Sequence, residues 1–183
     1  MARVLRSRAW VWTLVSLLPI VALSAAACGS STKQHFAERS VRGPGFRFSA
    51  PQAWSVHATA TSASAKSSGT PPATVSAAVF RLVKAYSPAR FAEATKELDD
   101  VAAELARKAG GSVTESATTT VAGRKIRAYR FSARSAEGQR YENRIGFVLS
   151  GRREVQLLCQ VPAGAGDPDG ACGLLFDSFK LTG

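Results

Sequence analysis

Four strand-like segments joined by very short links fill most of the second half of the chain. They run over Ser112–Val121, Arg124–Ala133, Gln139–Leu149 and Arg153–Val161. Ala122-Gly123 and Ser150-Gly151 make two tight connections, and Glu137-Gly138 makes a slightly longer third. Parallel strands need crossovers of a dozen or more residues, so links this short admit only antiparallel neighbours. The segments therefore predict an antiparallel meander. In the third, Tyr141, Asn143, Ile145, Phe147 and Leu149 share one face, while Arg140, Glu142, Arg144 and Gly146 share the other. In the fourth, Val155, Leu157, Cys159 and Val161 lie together. Asn143 is the polar member of an apolar face and needs a hydrogen-bond partner if it is buried.

A sheet with an apolar face needs a cover, and Ser87–Ala109 supplies one. Ser87 can cap, Pro88 suits the first helical position, and Gly110-Gly111 ends the run. Phe91, Ala94, Leu98, Val101, Ala102, Leu105 and Ala109 recur at helical spacing, so this face packs on the sheet. Acids (Glu93, Glu97, Asp99, Asp100) lead and bases (Arg107, Lys108) trail, as the helix dipole favours, and they read as a solvated outer face.

The folded region begins near Gly45. Phe46-Arg47-Phe48 alternates, Pro51 interrupts, and Trp54-Ser55-Val56 resumes. Thr59–Thr74 is a run of Ala, Ser, Thr, Gly and Pro and reads as a mobile loop. Val75–Ala85 reads as a strand. After Pro162 come a loop, a short helix near Pro168–Asp177 and an extended tail. The fold class is α+β: an antiparallel meander packed by one long amphipathic helix and a short C-terminal helix.

The order of these parts resembles a known family. A Gly-Phe-x-Phe-x-x-Pro-x-x-Trp opening (Gly45–Trp54), a long helix, a meander with a Val-Ala-Gly turn and a closing Phe-x-x-Phe (Phe176–Phe179) are similar to the PsbP-like or Mog-type α/β/α sandwich. The chain looks particularly like the small actinobacterial lipoproteins of the LpqN kind. It implies a scaffold, binding partner or assembly factor, and it carries no catalytic residues. Phe46, Phe48 and Trp54 are core positions on this reading.

The first 27 residues are of another character. Arg3, Arg6 and Arg8 precede an apolar run from Ala9 to Leu23, and the small residues Ser24-Ala25-Ala26-Ala27 lead to Cys28. A basic start, an apolar middle and a small-residue end make an export signal. The arrangement also resembles the lipobox of bacterial lipoproteins, where the peptide is cut before a cysteine whose sulfur then carries acyl chains. The resemblance implies a signal peptide over residues 1–27, lipidation at Cys28 and residence on the extracytoplasmic face of the cell membrane. Two acyl chains anchor stably where one is marginal. Ordinary cleavage after Ala27 and an uncleaved membrane anchor are the alternatives. Residues 28–44, polar and small, read as a flexible tether with a solvated His35, and residues 45–183 as one domain.

The chain holds three cysteines, Cys28, Cys159 and Cys172. If Cys28 is acylated, Cys159 and Cys172 are left to pair in an oxidising compartment, which would pin the last strand to the final helix. A reduced Cys159 buried as a small hydrophobe is the alternative.

Several functions are disfavoured on composition and spacing. His35 and His57 stand alone with no ligand cluster around them, so no metal or other cofactor is expected. Asp167-Pro168-Asp169-Gly170 lacks the remaining ligands of a calcium loop and reads as a turn and helix cap. No nucleophile elbow or phosphate loop occurs, and a serine triad would have to recruit His57. The chain is expected not to be an enzyme, with a cryptic hydrolase the remote alternative. Of the 24 basic residues, Arg3, Arg6 and Arg8 leave with the signal peptide, so 21 against 13 acids give the remaining chain +8, an excess that favours anionic partners. Nucleic acid is not among those expected, because basic residues are not interleaved with aromatics. The candidate surface is the arginine-rich meander: Arg127, Arg130, Arg140, Arg144, Arg152 and Arg153, facing a lipid headgroup, an anionic polysaccharide or an acidic envelope protein; a solvated face balanced partly by Glu137, Glu142 and Glu154 is the other reading of the same residues. The expected function is a lipid-anchored, non-enzymatic binding or scaffold protein. A carrier of a small hydrophobic or anionic ligand is the alternative, and it requires an apolar cavity between helix and sheet.

Overall fold

A computed structural model describes residues 37–182. The signal peptide, Cys28 and His35 lie outside the described residues. Two sheets and two helices make up the α+β domain. The small sheet has the order β1-β2-β9, formed by β1 (Glu38–Gly43), β2 (Phe46–Pro51) and β9 (Lys180–Leu181). The large sheet has the order β3-β4-β5-β8-β7-β6, formed by β3 (Ser55–Ala58), β4 (Ser62–Lys66), β5 (Thr74–Tyr86), β6 (Val113–Val121), β7 (Arg124–Arg134) and β8 (Arg140–Pro162). All pairings are antiparallel.

The segment β8 is a hairpin. Twenty-three extended residues would span roughly 75 Å, yet the Ala163 amide donates to the Arg140 carbonyl at 3.0 Å. The chain folds back at Gly151, which has φ +57°. Its first arm pairs with β7 and its second with β5. The two strands expected over Gln139–Leu149 and Arg153–Val161 are these arms, so the predicted meander is present as β6, β7 and β8.

The helix α1 (Phe91–Lys108) follows a single 3₁₀ turn at Pro88–Arg90. Ser87 makes no side-chain cap, contrary to the reading of its position. The predicted stop is well built. Gly110 takes φ +75°, its amide donates to Arg107 O, and the Gly111 amide donates to Ala106 O, the pair of bonds that closes a Schellman motif. The Arg134 amide then donates to Ala109 O and ties the helix end to β7. The buried helix residues are Leu98, Ala102 and Ala106. Val101, read as part of the apolar face, is 42 % exposed, and Ala106 takes a place that the spacing did not assign. The face is turned slightly because alanines allow the helix to sit close to the sheet. They meet Tyr129, Phe131, Ile145, Phe147 and Leu149.

The opposite face of the large sheet is covered too. The helix α2 (Ala171–Ser178) and the small sheet pack there, bringing Phe46, Phe48, Trp54, Leu175, Phe176 and Phe179 against Ile126, Val148, Val155 and Leu157. Gly146 lets α2 approach: a Cβ there would stand 2.7 Å from the Phe176 ring. Asp167 caps α2, its carboxylate accepting from the amides of Cys172 and Gly173, and Asp169 accepts from Trp54 Nε1 at 3.0 Å. Cys159 and Cys172 form a disulfide with Cα atoms 5.4 Å apart.

Two boundaries differ from expectation. Strand structure is already present from Glu38, ahead of Gly45, because β1 pairs along its length with β2 and buries Val41. Its polar composition belongs to an outer strand with one inward residue. Thr59–Thr74, expected as a mobile loop, contains β4, where Ala63 and Ala65 are buried between serines. Alternating Ala and Ser is a strand pattern with small side chains, and its composition is that of a loop.

Candidate functional site

Strand alternation divides the six arginines of interest. On β7, Tyr129, Phe131 and Ala133 face α1, while Ile126 and Ala128 face α2. Arg127 therefore projects on the α1 side. Its Nε donates to Asp99 Oδ1 at 3.0 Å and its terminal nitrogen to Ser116 Oγ at 2.8 Å, above the Tyr129 ring. The Tyr129 hydroxyl donates to the same Asp99 oxygen at 2.7 Å. Burial pushes the Asp99 carboxyl up, but the hydrogen bonds from Tyr129 and Arg127 outweigh it and hold the group below its ordinary range. The same burial, with Asp99 beside it, raises the Tyr129 phenol well above the usual tyrosine range. Asp99 thus reaches the sheet and joins a helix–sheet clamp, where the charge pattern had put it on a solvated face. Arg127 is spent inside that clamp.

The other arginines scatter. Arg152 donates to Val83 O at 2.7 Å at the tip of the β8 hairpin. Arg153 lies against Gly45, where an added Cβ would meet its guanidinium. Arg140 is exposed at the opposite end, across from Arg134. Arg130 and Arg144 alone come together. They stand directly opposite each other on β7 and β8, on the α2 face.

These two guanidiniums border a cleft of about 490 Å³, shared with Thr114, Ser132, Gly166, the disulfide and two carboxylates, Glu142 and the helix-capping Asp167. Arg130 holds Glu115 at 3.1 Å and stays largely exposed. Arg144 is half-buried, with its guanidinium carbon 4.0 Å from the Phe176 ring centre. Among the described residues it has no hydrogen-bond acceptor or ion-pair partner. Burial lowers its pKa and so does Arg130, and the more distant Asp177, Asp167 and Glu115 offset this only in part. Like charges placed directly opposite on neighbouring strands are destabilising. Guanidinium does not give up its proton in a protein, so the pair cannot act as an acid or base. What it offers is a fork of donors suited to a carboxylate or phosphate.

A second feature lies across the sheet, beside α1. Two hollows of about 360 and 370 Å³ flank the helix where it meets β5 and β8. Leu82 and Glu154 line one; Ala78, Gln156 and Leu158 line the other. These are same-face neighbours along the same two strands, so the two hollows follow one another beside the helix as an interrupted trough, with no lining residue in common. Val83 and Val101 stand exposed in the lining of the first hollow, and Phe80 is exposed on the same strand β5. Asn143 lies in the floor of the second hollow, 5 % exposed, with Oδ1 unpartnered. The trough was not foreseen, although apolar residues on both faces at the end of β5 (Phe80, Leu82, Val83) were its signal. The core between α1 and the sheet is filled by side chains, and the trough is open rather than an enclosed cavity.

His57 lies exposed on β3, opposite Ser64. Among the described residues no three metal-ligating side chains cluster. No helix of the described residues is long and apolar enough to cross a membrane.

No protein-family model and no curated protein matches the chain. Solved structures do. LpqN from Mycobacterium tuberculosis, described as involved in cell envelope biogenesis, superposes with a TM-score of 0.57 at 14 % identity, covering 81 % of this chain and 92 % of that one. The cyanobacterial PsbP protein (CyanoP) from Synechocystis gives 0.54 at 7 % identity, covering 84 % and 98 %. A protein from Bacteroides thetaiotaomicron gives 0.51 at 12 % identity, covering 80 % of this chain and half of its own length. At these identities the likeness is one of fold. The α+β sandwich implied by the Gly45–Trp54 opening is the fold of this chain, shared with LpqN and PsbP-like proteins.

Proposed function

We propose that this chain is a non-enzymatic binding protein of the cell envelope, held at the outer face of the cytoplasmic membrane by acyl chains on Cys28, which docks an anionic partner at the Arg130–Arg144 cleft. The carrying observation is Arg144: a half-buried guanidinium, stacked on Phe176, opposite a like charge and without an acceptor among the described residues. An incoming carboxylate or phosphate would relieve both the repulsion and the unmet donors. Residence in the envelope is supported by the signal-like residues 1–27 and by the fold shared with LpqN, whose description places that protein in envelope biogenesis.

Two measurements test the reading. Arginine side-chain NMR during titration with inorganic phosphate should move the Arg144 and Arg130 Nε–H signals together, weakening as salt is raised. Arg144→Glu should abolish the response. A response that survives this charge reversal refutes the cleft. Intact mass of the protein recovered from cells should show an N-terminal, acylated Cys28, and a bare Cys28 refutes the anchor. The trough beside α1 favours a second reading, a carrier of a small apolar ligand. Native mass spectrometry of protein purified without detergent checks it, and a ligand-free mass counts against it.

A further inference from the structure

The strand β6 is the long open edge of the large sheet. It pairs with β7 on one side, and among the described residues nothing pairs with its other side. Such an edge is a template for another strand, and proteins blunt theirs by shortness, charge or proline. The remaining edges here are blunted. β3 has four residues, β9 has two, and β1 carries Glu38, Arg39 and Arg42. β6 runs for nine residues without lysine, arginine or proline, and carries four threonines. Its one charge, Glu115, is held by Arg130.

The hairpin into β7 shows which backbone groups point outward. Its turn is the two residues Ala122 and Gly123, with φ +50° and +71°. A two-residue turn makes its flanking residues, Val121 and Arg124, a mutually hydrogen-bonded pair. Alternation then directs the amides and carbonyls of Val121, Thr119 and Ala117 toward β7, and those of Thr120, Thr118 and Ser116 outward. An antiparallel copy centred on Thr118 satisfies all three outward residues at once. Ser116 faces Thr120 of the other copy, Thr118 faces Thr118, and no like charges meet. Hydroxyl-bearing pairs of this kind add to strand association.

We propose that two copies of this chain associate through β6, antiparallel about a two-fold axis at Thr118, joining their large sheets edge to edge. A contact of one strand pair is small, which puts the dimer in the weak, concentration-dependent class. An acidic extended segment of another protein is the competing occupant of the same edge.

The test uses the full chain purified from cells in excess non-ionic detergent. Sedimentation and hydrogen exchange are followed over a hundredfold range of protein concentration. The expected result is a monomer–dimer equilibrium, with the amides of Ser116, Thr118 and Thr120 gaining protection as concentration rises. Thr118→Pro should abolish both, because its lost amide points away from β7 and the β6–β7 ladder stays whole. Should that variant fold poorly, Thr118→Lys sets two ammonium groups across the axis and should abolish them too. A chain that stays monomeric throughout overturns the proposal. So does a dimer that survives both substitutions, or one that leaves these three amides unprotected.

Discussion

Reducing the Cys159–Cys172 bond tests the joint between the last strand and α2. The two cysteines are 13 positions apart, so the loop-closure estimate for the unfolded chain is about 3 kcal/mol. Unfolding entropy scales at about 2.1 cal/mol/K per residue, or on the order of 0.3 kcal/mol/K for a domain of this size, so the melting temperature should fall by about 10 °C. The reduced protein should still fold. Leu175, Phe176 and Phe179 remain buried without the bond, and Asp167 still caps α2. Circular dichroism melts with and without reductant measure the shift, with thiol alkylation and mass spectrometry confirming reduction. A Cys159→Ala/Cys172→Ala variant should match the reduced wild type to within the small cavity left at the buried Cys159. A shift under about 2 °C on full reduction would refute the loop-closure reasoning. Loss of the near-ultraviolet signal below the melt would show that α2 depends on the bond rather than on its packing.

Asp99→Asn should weaken the helix–sheet clamp by roughly 1 kcal/mol, a modest figure because Asp99 is partly exposed. The folded Asp99 pKa is depressed, so its contribution is present above the ordinary aspartate value and lost as pH falls through the folded one. Acid-unfolding curves of the variant should lack that component, and identical curves would remove Asp99 from the clamp. On the alkaline side the Tyr129 pKa is raised, so its contribution is complete below the ordinary tyrosine value and persists until pH climbs through the folded one. Of the three tyrosines, Tyr129 should resist spectrophotometric titration until the protein unfolds. Gly146→Ala should lower the unfolding free energy by about 1–3 kcal/mol through overpacking against Phe176, read as a lower denaturant midpoint at unchanged m. An unchanged midpoint would mean that α2 does not sit on that strand.

Much of the architecture was legible because local signals agreed with the global fold. Gly110 at the helix stop, Gly123 in the hairpin turn and Gly151 at the fold-back all take positive φ, a backbone demand that glycine meets without strain. The failures share a physical cause. β4 and β1 have the composition of loop and tether because burial there depends on Ala63, Ala65 and Val41, small inward residues among polar ones. Burial of that kind comes from the neighbouring layer, which composition does not report. The candidate site was legible only as a set of types. Arg127 and Arg144 belong to the same arginine-rich stretch. One is paired with Asp99 from a distant helix, and the other is stacked on Phe176 from another.

The amino-acid order alone determined which segments alternate at period two, where the chain must turn, and that one amphipathic helix covers a sheet. It also restricted cysteine pairing to two partners once Cys28 is set aside. Only tertiary structure decided which face of each strand meets which layer, because a one-residue change of register exchanges the two faces. That choice set Arg130 against Arg144 above α2, sent Arg127 to Asp99, opened a trough beside α1 and left β6 without a neighbour among the described residues. Each depends on residues tens of positions apart arriving at one place, and local propensity carries no information about that arrival.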